Sequence, residues 1–370
     1  MHFNLIMDIT LPRLRTTGRK NVADFEIEKP QDKKKSWRVI VILLLLGLAV
    51  NLVLPKMMDI RHAVEVIREM TWWAVALAVV AEVLAYLGYG YCLNALLDLH
   101  NHRLSIFQGA MISVTSSSIG LVAGGWIGAA AATYRFVNNR GASKSSATIA
   151  GILPSMLVNA AIIFVSVVGI AFLAFTDRIT QSQLIQYTIF LLVLIIFTYG
   201  YLLALVFPTG TYKLVNWALW NWARLRKKPY DPAKTKQNVN TMIQAWKSLR
   251  KGSWFRPLLG AFAYILFDMA CLYLIFFAAG HQVNLGVLFA GYGIPFLIAK
   301  ITFILPGGVG VIEATMAALF TSLGVPKEVS IVAVIGFRLI SFWLTTFVGL
   351  VLSPFLTRKK AALPEENPAL

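Results

Sequence analysis

The chain has 370 residues, of which 58% are hydrophobic and only 14% charged. This composition excludes an ordinary soluble domain, and several apolar runs approach the length of about 20 residues that a helix needs to cross a bilayer. The net charge of +17 is clustered between these runs, which indicates membrane topology and anionic lipid rather than nucleic acid. We therefore predict an all-α polytopic membrane protein.

The N-terminal region is expected to lead into the membrane. Residues 1–36 are polar, and their run Lys33-Lys34-Lys35 predicts a cytoplasmic tail rather than a signal peptide. A first transmembrane helix is predicted over 37–55, and an amphipathic interfacial helix over 56–71.

Residues 72–175 are predicted to form a first membrane repeat, with full spans at its two ends and a hairpin over 105–142 between them. Gly124 and Gly125 lie in the middle of the hairpin. The helix that follows them would be only about 21 Å long, which is short of the roughly 30 Å hydrocarbon core. Glycine-mediated helix packing is the alternative explanation for these residues.

A further transmembrane helix is predicted over 184–207, and a basic, tryptophan-flanked cytoplasmic loop over 208–256. The loop lacks a fold that could stack bases, so nucleic-acid binding is not expected. The pair His100 and His102 is expected to be solvated rather than to bind a metal, because no further ligand lies nearby. The two cysteines fall within apolar runs, and neither a disulfide nor a cofactor is predicted.

The segment 303–313 interrupts the apolar C-terminal third. Its helix-breaking residues are Pro306, Gly307, Gly308 and Gly310. Backbone that is not helical is tolerated in lipid only where protein or water covers it. Glu313 follows near the start of the next helix, where a carboxylate is favoured by the helix dipole but is costly at membrane depth. A tight turn with Glu313 facing lipid headgroups is the alternative.

Charge counting predicts a second repeat over 257–356, with a hairpin over 284–323, followed by a cytoplasmic tail over 357–370. The positive-inside rule makes the two hairpins enter from opposite faces. A shift of about 183 residues places the glycines of one repeat on those of the other. We expect an inverted-topology repeat with re-entrant helices and about seven full-length or near-full-length spans.

The segments Leu305–Glu313, Leu323–Val325 and Phe337–Leu339 together resemble the signature of the lysylphosphatidylglycerol synthase transmembrane-region family, also described as flippase-like. In many members of that family the first repeat carries an acidic residue after its glycines, where this chain has Ala130. The full-length synthases carry a cytosolic aminoacyltransferase domain. Because the sequence ends at Leu370, soon after its last predicted span, we expect a stand-alone membrane protein that is not an enzyme.

The resemblance implies a lipid translocase that moves a lipid with a charged or phosphate-containing head group across the bacterial cytoplasmic membrane. Glu313 and Arg338 are the leading substrate-binding candidates, although a static ion pair is an equal alternative. Asp268 and Glu82 are weaker candidates. The N-termini of the helices that follow the glycine runs are expected to contact an anionic lipid. The cationic side chains of Arg135 and Lys300 are expected to do the same. These further candidates are Pro306, Gly307, Gly308, Gly310, Gly124, Gly125, Arg135 and Lys300.

Two other functions are compatible with the sequence. The chain could be a non-transporting accessory or scaffold protein for an envelope lipid or glycan enzyme, acting through the 208–256 loop. A membrane-embedded transferase is less favoured, because such sites usually show clustered carboxylates or histidines near an interface. Expected partners are anionic membrane lipids, with a homo-oligomer or an envelope-synthesis enzyme as further possibilities.

Overall fold

The computed structural model describes residues 60–99, 102–122, 125–176, 254–301 and 308–357, with isolated positions between 180 and 232. These residues all belong to one compact unit that covers 50–370. The predicted tail 1–36 and first span 37–55 lie outside the described residues. Most of 184–207, of the basic loop and of the C-terminal tail lies outside them as well.

The described residues form helices and no strands, which confirms the all-α class. The helices are α1 (Ile60–Glu69), α2 (Trp72–Asp98), α3 (Ile106–Val122), α4 (Trp126–Asn138), α5 (Lys144–Phe175), α6 (Phe255–Ala278), α7 (Leu285–Ile301), α8 (Val311–Ser322), α9 (Lys327–Arg338), a π-helical segment (Leu339–Leu344) and α10 (Thr345–Thr357).

Four helical stretches in the described part of the chain are long and apolar enough to cross a membrane: α2, α5, α6 and the continuous stretch 327–356. The 27 residues of α2 correspond to about 40 Å of helix. The helices α3, α7 and α8 are apolar but shorter. The protein is therefore a multi-pass membrane protein, and the larger number of about seven spans stays a prediction.

The helices α2 and α6 pack against each other in antiparallel orientation along their whole length. At one end Arg256 Nη1 lies 3.2 Å from Asp98 Oδ2, and at the other the Thr71 N–H donates to the carbonyl oxygen of Ala278. A Cβ atom added to Gly260 would lie 2.5 Å from the backbone nitrogen of Cys92. Small residues thus let the two backbones approach closely, as is usual between membrane helices.

The helices before and after the central polar segment have similar lengths and ends. The helices α2, α3, α4 and α5 have 27, 17, 13 and 32 residues. The helices α6, α7 and α8 have 24, 17 and 12 residues. The stretch that follows consists of α9, the π-helical segment and α10, with 12, 6 and 13 residues. The short helices α4 and α8 end alike, at Gly141 with a φ of 89° and at Gly324 with a φ of 92°. In each case the N–H of the residue after the glycine donates a hydrogen bond to a carbonyl oxygen in the last helical turn. This is the Schellman type of helix end.

The shorter helices α3 and α7 each pack on a long helix from the other part of the chain. The helix α3 packs against α10, and α7 packs against α5. Within each half, α3 contacts α4, and α7 contacts α8. The two sets of helices are thereby interleaved around the α2–α6 contact.

The last helical stretch, 327–356, is not a uniform α-helix. A π-helical segment over Leu339–Leu344 interrupts it directly after Arg338. Single π-helical turns inside α-helices are rare and occur frequently at functional sites.

Candidate functional site

The start of α8 holds Glu313 in a defined position. Glu313 is the third residue of this helix, and its Oε2 accepts a hydrogen bond of 2.7 Å from the N–H of Gly310. Gly310 precedes the helix with a φ of 87°, a backbone conformation that strongly favours glycine. The carboxylate of Glu313 therefore satisfies an otherwise unpaired donor at the positive end of the helix.

Glu313 also forms an ion pair with Arg338 on the next helix. Arg338 Nε lies 2.8 Å from Glu313 Oε1, and each residue is only 3% exposed. The Arg338 guanidinium carbon lies 4.2 Å from the centre of the Phe342 ring, which is within the range of a cation–π interaction. The pair therefore links α8, α9 and the π segment at one buried point.

The depth and burial of this pair make it costly to break. Arg338 is the last residue of α9, which places it about 17 Å along the helix from Lys327 and near the middle of a hydrocarbon core of roughly 30 Å. Removing one partner of a buried ion pair leaves an uncompensated charge and typically costs about 3–5 kcal/mol. Because arginine stays protonated in proteins, the charge on Arg338 needs a compensating anion.

A second group of buried polar side chains lies where α2, α6 and α7 meet. The Tyr292 hydroxyl donates to Asp268 Oδ2 over 2.5 Å. The carboxyl groups of Glu82 and Asp268 are hydrogen-bonded to each other. Asp268 also lies close enough to Arg338 to interact with it electrostatically. The structure thus brings the two weaker acidic candidates to the ion pair.

Tyr292 was not among the predicted site residues. It is fully buried and lies in a Gly-Tyr-Gly sequence on an apolar helix. A phenol hydroxyl in an apolar segment needs a hydrogen-bond partner, which was the available signal. The sequence did not indicate that this partner would be Asp268.

The other predicted site residues are distributed more widely. Gly308 is buried beside the start of α8, and Gly125 precedes the first residue of α4. Arg135 is exposed on α4, a helix that packs mainly against α3 and α5. The backbone of Lys300 belongs to α7, and its side chain lies outside what the structure describes. Gly124, Pro306 and Gly307 lie outside the described residues.

The chain is similar to a known protein family and to several curated membrane proteins. The model of the family described as "Lysylphosphatidylglycerol synthase TM region" matches residues 36–349. Two UPF0104 membrane proteins of Methanothermobacter thermautotrophicus are 33% identical over 90 residues and 37% identical over 91 residues. A UPF0104 membrane protein of Pyrococcus horikoshii is 32% identical over 85 residues.

These matches to curated proteins are partial. Each covers 23–24% of this chain and 25–26% of the relative's own length, so the matched part spans about a quarter of each relative. The family model, by contrast, covers most of the chain. With its four described candidate spans, the chain is a multi-pass membrane protein that belongs to the lysylphosphatidylglycerol synthase transmembrane-region family.

Proposed function

We propose that this protein is a lipid translocase that moves a lipid with a charged or phosphate-containing head group across the cytoplasmic membrane. The observation that carries the proposal is the Glu313–Arg338 ion pair. It is buried near the middle of the membrane and lies between a helix that begins after a glycine-rich break and a π-helical segment. Ionisable residues at this depth are expensive and usually mark a substrate or ion pathway.

The proposed mechanism is an exchange of anions at Arg338. Without lipid, the carboxylate of Glu313 neutralises the guanidinium and accepts the Gly310 N–H. A phosphate head group that enters the site competes for the same guanidinium, which suits phosphate geometry well. When Glu313 moves aside, the first N–H groups of α8 also become available to an anion. No covalent step is required, and we propose that the chain acts as a transporter and not as an enzyme.

An inverted repeat of 72–175 and 257–356 is part of the same proposal. Its supports are the similar helix lengths of the two halves and the antiparallel packing of α2 against α6. A further support is the spacing of the positive-φ glycines: Gly125 corresponds to Gly308 and Gly141 to Gly324 at one constant offset. Two such halves with opposite orientation expose a midplane site alternately to each side.

The orientation in the membrane follows from charge. We propose that the N-terminus, the 208–256 loop and the C-terminus face the cytoplasm, since basic residues concentrate there. Together with 37–55 and 184–207, the two repeats would give about seven spans. The relatives come from archaea, so the assignment to a bacterial membrane rests on the resemblance alone.

The test is lipid scrambling in liposomes that contain phosphatidylglycerol, an aminoacylated lipid, a polyprenyl phosphate or phosphatidylcholine, each labelled on its head group. The variants are Glu313→Gln and Arg338→Gln. Arg68→Gln and Glu69→Gln on the exposed face of α1 serve as matched controls. We expect the wild type and the controls to move at least one anionic lipid. We expect the site variants to be at least tenfold slower, which corresponds to about 1.4 kcal/mol in the barrier.

Two outcomes would reject the proposal. If folded wild-type protein accelerates none of these lipids, translocation is wrong and the accessory role becomes the better explanation. If the site variants move lipid as fast as the controls, Glu313–Arg338 is a structural pair. Loss of function on trimming the basic residues between Lys227 and Lys251, with the ion pair intact, would support the accessory role.

A further inference from the structure

The hydrogen-bonded carboxyl groups of Glu82 and Asp268 lie deep in the membrane-spanning unit. Glu82 is about 15 Å along α2 from Trp72, and Asp268 about 20 Å along α6 from Phe255. Both distances place the residues near the middle of a hydrocarbon core of roughly 30 Å. The exposed fractions are 3% for Glu82 and 4% for Asp268.

The oxygens of this carboxyl pair are only partly satisfied. Asp268 Oδ2 accepts from Tyr292, and the two carboxyl groups contact each other. Glu82 Oε2 and Asp268 Oδ1 are buried and accept no hydrogen bond from a donor group among the described residues. Buried polar atoms are nearly always paired in proteins. Two buried carboxyl oxygens without a donor at one point therefore need a proton or another cation between them.

Several neighbouring helices place titratable side chains around the Glu82–Asp268 pair. The titratable groups beside the pair are Tyr86 on α2, Tyr264 and Cys271 on α6, Tyr292 on α7, and Arg338 on α9. Tyr264 in turn contacts Tyr89, and Arg338 pairs with Glu313 on α8. The helices α3 and α10 and the π segment contain no titratable residue, and α5 contains only Lys144, at its first position. Only Arg338 in this group carries a permanent positive charge.

Charge balance then requires a proton. Three ionised carboxylates around one guanidinium would leave two uncompensated negative charges in an apolar interior, which is very costly. One proton on the pair removes one of these charges, and a second proton removes the other. Two carboxyl groups in contact also repel each other strongly when both are ionised, and such pairs share a proton. The hydrogen bond between Glu82 and Asp268 itself needs one of them to be a donor.

We propose that Glu82 and Asp268 form a proton-binding site that exchanges its proton with water during the protein's working cycle. When the pair loses its proton, the carboxylate of Asp268 competes with Glu313 for Arg338. When a proton returns, Arg338 is again neutralised by Glu313 alone. The coupling of this proton to lipid movement rests on the proposed function, whereas the binding of the proton does not.

The first measurement is infrared difference spectroscopy of the full chain in lipid nanodiscs while the pH is stepped. A protonated buried carboxyl group has its own C=O stretching band. We expect this band to appear as the pH falls in the wild type and in the Glu69→Gln control. We expect the double variant of Glu82→Gln and Asp268→Asn to lack it. The amide replacements keep the size of the side chains, and circular dichroism would verify that each variant is folded.

Three results would overturn the proposal. The band could be independent of pH, or it could persist in the folded double variant. It could also respond, at constant pH, when sodium replaces choline, and this result would assign a metal cation to the site.

Transport is the separate second measurement. A pH gradient across liposomes should change the rate of lipid movement in the wild type and not in the double variant. Transport without a titrating band would reject the proton site alone, and a titrating band without transport would reject the translocase.

Discussion

Removing one charge of the Glu313–Arg338 pair should destabilise the protein more than removing both. The perturbation is a double-mutant cycle of Glu313→Gln, Arg338→Met and the two together. Glutamine keeps an oxygen that can accept the Gly310 N–H. Methionine keeps much of the apolar stem of arginine, which packs against its neighbours.

The magnitude follows from the burial of both residues at 3% exposure. Each single change removes one partner of the buried ion pair, which costs about 3–5 kcal/mol. Arg338→Met should lie at the lower end, because Glu313 retains its bond to Gly310. In the double variant both charges are gone, so the interaction energy between the two sites should be at least as large as either single effect, about 3–5 kcal/mol.

The assay is reversible unfolding in mixed micelles with increasing detergent denaturant, followed by helical circular dichroism. Arg68→Met and Glu69→Gln on α1 form the control cycle, because both residues are exposed. Their separate effects should stay within about 0.5 kcal/mol. If the free energies of the Glu313 and Arg338 variants add to within about 0.5 kcal/mol, the reasoning is refuted and the two residues do not act as a pair.

Two further predictions concern the surroundings of the site. Gly310→Ala should lower the free energy of unfolding by about 1–3 kcal/mol and slow lipid movement, because alanine is strained at a φ of 87°. An unchanged unfolding midpoint would show that this turn relaxes. Asp98→Asn should leave the unfolding midpoint nearly unchanged, since its ion pairs with Arg103 and Arg256 lie at the surface. A larger loss in the same unfolding assay would mean that this surface pair holds α2 against α6.

Features that depend on local sequence could be predicted. Apolar run length identified the membrane class, and the spacing of glycines indicated the short helix after Trp126. The position of Glu313 near a helix start followed from Gly310, because glycine interrupts the helix three residues earlier. In each of these cases the physical cause lies within a few residues of its effect.

Features that depend on packing could not be predicted in the same way. Glu82 and Asp268 lie in different halves of the chain, and only the antiparallel contact of α2 with α6 brings their carboxyl groups together. The sequence identified both acids as weaker candidates and did not relate one to the other. The π-helical segment has no signal in the residues Leu339–Leu344, since apolar and aromatic residues are equally suited to an ordinary α-helix.

The π-helical segment changes the rotational phase of the last span. Arg338 and Gly349 are eleven residues apart, and a uniform α-helix would turn them to nearly the same side. A π turn holds about one residue more than an α turn, so the helix beyond it is rotated by about 100° relative to α9. Arg338 can therefore reach Glu313 while Gly349 lies against Ser118 of α3. Deleting one residue from the segment would restore a uniform helix, and one of these two contacts would have to be lost.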